Sequence, residues 1–411
     1  MRKDAQKLFA IACAAAGLAG IVPVQAVRAE VINQNALQTI HAPAPPVVKA
    51  QSVVLMDADN GQILYEKNAD ERRAPASTTK IMTMLLVMEA VANHKVRWED
   101  EVPVTPDAYR VATTSDVSNA YLDPREHFTL RDMMDFIAVL SANDATVAVA
   151  DKIGGDKDNF VAMMNQEAQR LGLTGTHYTN PDGLPQDNHY TTAMDLAKLS
   201  RYLIEHYPEV LEFTSKPTVT VKSQVRKQSN TWPNTDEMIG KYPGVDGLKT
   251  GFTDDAGYCF VGTAQRNGVR LISVVMGDTK NDIHQRFVDT QKLFDYGFQQ
   301  FTETKAATHG QTLSYTVPVP DGKTTQLPVT AADDLIVDLP AGVQGQVKFV
   351  SQPVTAPVHQ GQKVGTLEYV VNGSVIAQTD AVAAGEDPKA NWFVRLLRGI
   401  GRWLGGLLHR L

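Results

Sequence analysis

Two cysteines in 411 residues exclude a disulfide-stapled scaffold. Cys13 falls inside an amino-terminal apolar segment, so a processed chain keeps Cys259 alone and forms no internal disulfide. Cys259 is then expected to be a small buried hydrophobe. The chain also lacks the His-Glu-x-x-His string of zinc hydrolases and the Gly-x-Ser-x-Gly elbow of many serine hydrolases, and it implies no cofactor and no metal. Positive charge is not in excess: 39 Lys and Arg stand against 46 Asp and Glu, a formal charge of −7. Nucleic acid is therefore not an expected partner, because replacing phosphate counterions needs a concentrated positive surface.

What is present is an ordinary globular composition, 43% hydrophobic, in a chain long enough for two or three folded units. Arg2, Lys3 and Lys7 precede the apolar run Leu8 to Val22, and small residues follow it. Residues 1–29 thus read as an export signal, with cleavage sites after Ala26 or Ala29 that the small-x-small rule does not separate. A linker is expected over 30–50, where His41-Ala-Pro-Ala-Pro-Pro46 favours extended chain.

Residues 51–301 mix strand-like runs, Ser52 to Met56 and Leu271 to Met276, with helical stretches at Thr79–Val91, Leu130–Leu140 and Met194–Glu205. An α and β domain is predicted there, with Asn60-Gly61 as a hairpin turn. Residues 302–385 carry only short Val, Thr and Leu runs broken by Pro-Asp-Gly, Pro-Ala-Gly and Asn-Gly, the pattern of a separate all-β module. The tail, 386–411, contains an amphipathic helix over Asn391–Leu411: at 100° per residue, Trp392, Phe393, Leu396, Leu397, Ile400, Trp403 and further leucines share one arc, and Arg395, Arg398, Arg402 and His409 lie opposite. An arginine at nearly every turn of its first half argues for a helix lying in a membrane interface rather than crossing the bilayer.

Three short elements carry the chemistry. Ser77-Thr-Thr-Lys80 opens a predicted helix, and no other serine stands three residues before a lysine. That spacing is nearly one turn, so the Lys80 amine shares a face with the Ser77 hydroxyl. A hydroxyl needs a neighbouring base to attack, and an amine serves if burial or positive charge lowers its pKa. Ser141-Ala-Asn143 follows the apolar run Met133–Leu140; alone it reads as a capping serine and a turn asparagine. Lys249-Thr250-Gly251 precedes Phe252 at a strand edge where glycine permits a close backbone approach.

Taken in order, serine-x-x-lysine, serine-x-asparagine and lysine-threonine-glycine form the motif set of penicillin-binding proteins and serine β-lactamases. The longer strings Leu55 to Gly61, Asn68 to Arg73, Ser141 to Asp144, Asn180 to Leu184 and Gly244 to Gly251 resemble the low-molecular-mass penicillin-binding D-alanyl-D-alanine carboxypeptidases of the penicillin-binding protein 5 and 6 type. The resemblance runs over nearly the whole chain. It implies a transpeptidase-like α/β catalytic domain, a carboxy-terminal β domain and a tail anchor at the periplasmic face of the bacterial inner membrane. It also implies peptidoglycan stem peptides as substrates and β-lactams as acylating inhibitors.

By the same resemblance, Ser77 attacks the carbonyl between two D-alanines, Lys80 takes its proton, and Ser141 and Asn143 relay protons and hold the substrate amide. Lys249 and Thr250, beside Gly251, bind the terminal carboxylate. The backbone amides of Ser77 and Phe252 bind the oxyanion. In the best-known relatives a histidine stands where this chain has Phe252, so a backbone donor remains while a polar side chain is lost. A DD-endopeptidase, a serine β-lactamase and a non-catalytic wall-binding protein are the competing readings. The chain shows no clear counterpart of the deacylating glutamate motif of one β-lactamase class, and it retains Ser77, Lys80, Asn143 and Lys249.

Overall fold

The computed structural model describes residues 30–31, 42–223 and 225–408; the predicted export signal, residues 32–41 of the predicted linker, residue 224 and the last three residues of the tail lie outside these. At the centre of the amino-terminal domain is a five-stranded antiparallel sheet in the order Ile63–Lys67, Ser52–Asp57, Val269–Asp278, Gly257–Arg266, Val245–Thr253. Its three inner strands are buried on both sides, and the period of two divides their side chains between two cores. Val54, Met56, Ile272 and Val274 enter a cluster shared with the helices Lys80–Ala92 and Ala193–His206. Val53, Leu55, Leu271 and Val275 face the helix Gln285–Gln300.

The expected helices appear with small shifts at their ends. Lys80–Ala92 is apolar nearly all round, which is why it runs through the middle of the helical half with Ile81, Met82, Met84, Leu85 and Val87 fully enclosed. Leu130–Asp135 starts in a capping box between Thr129 and Asp132 and then widens into a π turn, Phe136–Leu140. Asn60-Gly61 lies in the turn between the first two strands of the sheet, as predicted.

Cys259 is buried, and burial pushes its thiol up to about 11. The linker reading needs revision for residues 42–50. The stretch has no regular secondary structure, yet it is fastened: Ala50 N–H donates to Asp289 Oδ2 at 2.9 Å, Pro43 O accepts from Tyr296 Oη at 2.9 Å, and Val48 and Ala50 are buried. A carboxylate 239 residues away in sequence satisfies backbone that proline had left without a ladder.

From Phe301 the chain is all strand as far as Ala383. One antiparallel sheet runs Thr312–Pro318, Gln326–Ala331, Ser374–Ala383, Lys363–Val371, Gln346–Ser351, with the two-residue strand Glu30–Val31 also paired to Ser374–Ala383. Phe301–Ala307 pairs with Leu335–Pro340 as a second, two-stranded sheet. Asn372 and Gly373 both take positive φ between two strands, the conformation a two-residue hairpin needs. The apolar residues of this module join the core beneath Gln285–Gln300, so one continuous cluster passes from the catalytic sheet into the β domain.

The tail forms the helix Trp392–Leu408. Its apolar side is turned outward: Trp392 is 70% exposed, and Phe393, Leu396, Leu397 and Ile400 are exposed too. What touches the β domain is the opposite side, where Arg398 Nη1 donates to Gly322 O at 2.7 Å. Among the described residues no helix is long and apolar enough to cross a membrane.

Candidate active site

Ser77 lies on a 3₁₀ turn, Ala76–Thr79, that leads directly into the helix beginning at Lys80. The residue before it, Ala76, has φ +49°, a left-handed conformation that costs a non-glycine residue about 1–3 kcal/mol. Two glycines leave the space that shape needs. A Cβ on Gly183 (φ +87°) would sit 1.9 Å from Ala76 O, and a Cβ on Gly251 would sit 3.1 Å from both Pro75 O and Ser77 N. The glycine of the lysine-threonine-glycine string thus makes room for the nucleophile turn itself. The same contact sets the backbone of Phe252 beside Ser77.

Lys80 is completely buried, and its amine sits among three oxygens: Ser77 Oγ at 3.0 Å, Asn143 Oδ1 at 2.6 Å and Asp182 O at 2.6 Å. Burial lowers its pKa to about 8, with the charges of Asp182 and Asp144 acting in the opposite direction. Asn143 opens the helix Asn143–Gly154 and is fixed by its own N–H donating to Ser118 O at 2.8 Å. The adjacent Asp144 carboxylate accepts from Ala120 N and Leu122 N at 2.9 and 3.0 Å, tying the 116–122 loop to the same corner.

Ser141 does not cap the following helix: Ala142 holds that position without a side-chain cap, while Ser141 itself takes φ 62° at the end of the π turn. Its Oγ is buried and unbonded, and Ser141 lines the cleft.

The cleft, about 500 Å³, runs between the 116–118 loop, the 183–185 loop and the edge strand, with Ser77, Ser141 and Asn143 in its floor. Thr250, Gly251 and Phe252 form its strand wall. Thr250 Oγ1 donates to Thr235 Oγ1 at 2.8 Å. Phe252 is 42% exposed and stacks on Tyr258 at 4.3 Å between centroids.

Lys249 is buried rather than an exposed strand lysine, 1% exposed, and donates to Thr250 O at 3.3 Å. Burial, reinforced by the charges of Lys80 and Arg286, drives its pKa well below the usual lysine range. Lys249 is thus enclosed within the site, near enough to Lys80 and Arg286 to feel their charges, while Arg286 lines the cleft itself. The guanidinium of Arg286 lies over the Tyr258 ring at 5.1 Å, donates to Gly251 O at 3.2 Å, and leaves Nε without a partner.

Arg286 and the Asp182 carbonyl are the site groups that motif reading does not find. Arg286 belongs to no local string and arrives from the start of the Gln285–Gln300 helix. Asp182 acts through its backbone, though the string that carries it, Asn180 to Leu184, was visible. Beneath the nucleophile turn lies His189, whose Nδ1 accepts from Thr179 N at 3.0 Å. This fixes Nε2 as the atom that donates to Thr79 Oγ1, at 2.8 Å. Burial pushes this imidazole down to about 4, so it is neutral at ordinary pH.

This geometry has counterparts in known proteins. A family model described as D-alanyl-D-alanine carboxypeptidase matches residues 38–280, and one described as penicillin-binding protein 5, C-terminal domain, matches residues 301–389. The chain is similar to the D-alanyl-D-alanine carboxypeptidase DacF of Bacillus subtilis (strain 168), 35% identical over 86% of this chain and 90% of the relative. It is also similar to DacC of Escherichia coli (strain K12), at 33% over 87% and 88%. Penicillin binding protein 5 from Haemophilus influenzae superposes on it with a TM-score of 0.77 and 33% identity, covering 84% of this chain and all of the other. Penicillin-Binding Protein D2 from Listeria monocytogenes, solved in an ampicillin-bound form, matches 62% of this chain at 37% identity and a TM-score of 0.55. With a serine and a buried lysine in contact, the three motifs assembled around one cleft, and both domains matched in order, the chain belongs to the D-alanyl-D-alanine carboxypeptidase family.

Proposed function

We propose that this enzyme removes the terminal D-alanine from peptidoglycan stem peptides through an acyl-enzyme on Ser77, and so limits cross-linking of the wall. The observation that carries this reading is the set of contacts at Lys80 Nζ. Asn143 Oδ1 and Asp182 O can only accept hydrogen bonds. Both N–H bonds of a neutral amine are therefore engaged, and the lone pair is left facing the Ser77 hydroxyl. A pKa of about 8 keeps a useful share of the amine neutral near neutral pH.

Ser77 Oγ then adds to the penultimate D-alanyl carbonyl while its proton passes to Lys80. The C–N bond to the last D-alanine breaks as that nitrogen receives a proton, with Ser141 and Asn143 placed to relay it. Water releases the acyl group. Backbone N–H groups of Ser77 and Phe252 supply the oxyanion donors.

The terminal carboxylate is read as bound by Thr250 and by Arg286, with Lys249, enclosed beside Gly251, contributing at the same end of the cleft. A planar guanidinium with an unsatisfied N–H suits that task. β-Lactams, whose strained amide and carboxylate mimic the same ends, acylate Ser77. That one relative is solved in both ampicillin-bound and cefotaxime-bound forms supports this.

The domain division supported by the strand pattern is a catalytic domain over 51–301, a β domain over 302–385 and a tail over 386–411. The outward apolar face of Trp392–Leu408 supports a helix lying on the periplasmic side of the inner membrane, following export by residues 1–29.

Mass spectrometry tests the reading. Incubation with a peptide ending in D-Ala-D-Ala should release one D-alanine, and incubation with penicillin should leave a penicilloyl adduct on Ser77. Rapid penicillin turnover without peptide cleavage moves the assignment to a β-lactamase, and neither reaction moves it to a binding protein. Deleting Asn391–Leu411 should yield an active enzyme that no longer sediments with membranes; a truncated enzyme that still sediments refutes the anchor.

A further inference from the structure

Residues 234–238 run alongside the lysine-threonine-glycine string and are tightly fixed there. Asn234 Nδ2 donates to Thr214 O and Lys216 O at 3.0 and 2.8 Å, and Thr235 N donates to Val139 O at 3.1 Å. Thr235 Oγ1 accepts the hydrogen bond from Thr250 already described. The next residue, Asp236, is 4% exposed. Its N–H donates to Asn234 Oδ1 at 2.8 Å and its Oδ1 accepts from Met238 N at 2.9 Å, but its Oδ2 is enclosed and has no donor. The reaction described above makes no use of this carboxylate.

Three cations are enclosed at the same end of the cleft: Lys80, Lys249 and Arg286 are 0, 1 and 5% exposed. Buried charges of one sign need counter-charge close by. Asp182 and Asp144 supply it to Lys80. Lys249 faces the positive charges of Lys80 and Arg286 and the negative charge of Asp236, while Arg286 faces Cys259, Tyr258, Glu237 and Asp236. Asp236 is thus an acid that both cations share. Neither cation is fully bonded, since Lys249 Nζ has its one contact at 3.3 Å and Arg286 Nε has none. Two cations and one carboxylate leave a single positive charge, the complement of one substrate carboxylate.

We infer that Asp236 is a positioning residue for substrate recognition, the counter-ion that keeps Lys249 charged and Arg286 in place at the carboxylate end of the cleft. The inference rests on reading Thr250, Arg286 and Lys249 as the seat of the terminal carboxylate. Asp236 does not itself line the cleft, although its neighbour Thr235 does. The electrostatics agree. Burial pushes the Asp236 carboxyl up to about 7, with the Met238 N–H, Arg286 and Lys249 drawing it down and Glu237 acting with burial. In return Asp236 raises the pKa of Lys249 against burial, Lys80 and Arg286. Removing the Asp236 charge therefore lets the Lys249 amine lose its proton at a lower pH, and the site loses a cation as pH rises.

The test is the preference of the full-length enzyme for a free carboxylate, the ratio of kcat/KM for a D-Ala-D-Ala peptide to that for the same peptide amidated at its carboxy terminus. The titration of Lys80 is common to both peptides and cancels. Asp236→Asn keeps an oxygen for Met238 N and removes the charge, whereas Asp236→Ala removes both. Each should lower the ratio about tenfold, the equivalent of one displaced pKa unit. The loss should fall on the free-carboxylate peptide and grow as pH rises from about 6 to about 9. Equal losses with both peptides overturn the inference, as does an Asn variant that matches the parent at every pH while the Ala variant falls; either result makes Asp236 a turn residue only. A parent enzyme with no preference for the free carboxylate refutes the reading of Thr250, Arg286 and Lys249, and the inference with it. A parent preference that survives Asp236→Asn intact refutes the inference alone.

Discussion

The two walls of the cleft are finished to different degrees. On the helical side Lys80 has three oxygen partners and Asn143 is fixed through both backbone and side chain. On the strand side Lys249 has a single contact at 3.3 Å, Arg286 Nε has none, and Ser141 Oγ between the two walls has none. A buried donor left without an acceptor is costly, and Arg286 Nε is such a donor on the side where the proposed mechanism seats the substrate carboxylate. On the proposed mechanism the helical wall holds its reacting groups in place before substrate arrives, and the strand wall completes its hydrogen bonds with the substrate carboxylate.

The largest effect should come from breaking the finished wall. Lys80→Gln keeps a polar side chain of similar reach but no base, and acylation by a fluorescent penicillin should fall about 10²–10⁴-fold. Labelling at the parent rate would remove Lys80 from the mechanism. In the parent enzyme the rate should follow the neutral amine: below a pKa of about 8 each unit of falling pH protonates Lys80 further and slows acylation about tenfold, with a plateau above. A profile that is flat from pH 6 to 9 points to another base.

The unfinished wall is tested next. Arg286→Gln should lower kcat/KM for a D-Ala-D-Ala peptide by about 10–100-fold, the worth of a hydrogen bond to a charged group, mostly through KM. A peptide amidated at its carboxy terminus should lose a similar factor with the parent enzyme and little more with the variant, since each change removes one end of the same contact. Additive losses would show that the carboxylate binds elsewhere. The smallest effect is expected from Phe252→His. It exchanges a ring stacked on Tyr258 for one that can donate, leaves the backbone N–H in place, and should alter kcat/KM by less than about tenfold.

Legibility followed the length of chain that carries each feature. Ser77 with Lys80, Ser141 with Asn143, and Lys249 with Thr250 are within three residues of each other, so helix and strand spacing was enough to pair them. The tail's face was readable from a 100° repeat alone. Arg286 was not, because it reaches the cleft only through the docking of the Gln285–Gln300 helix, 34 residues beyond Phe252. Nothing in an alanine announces a left-handed backbone, and Ala76 adopts one where Gly183 and Gly251, lacking side chains, leave it room in a tightly packed corner. The fastening of residues 42–50 was hidden for a related reason: proline content forecast extended chain, but the acceptor that captures it is Asp289, far away in sequence.

That crowding also divides the cleft into parts that can and cannot evolve. A side chain at Gly183 collides with Ala76 O, and one at Gly251 meets Pro75 O and Ser77 N tightly, so substitution at either position should disturb the Ser77 turn, most at Gly183, and with it both peptide turnover and drug binding. Selection by a β-lactam gains nothing there. Escape that spares the natural substrate has to come from the rim, at Asp116 to Ser118, Ile283 and Phe252, where shape can drift without moving the nucleophile. The corner is closed to side-chain change by its own packing, and the rim is open to it.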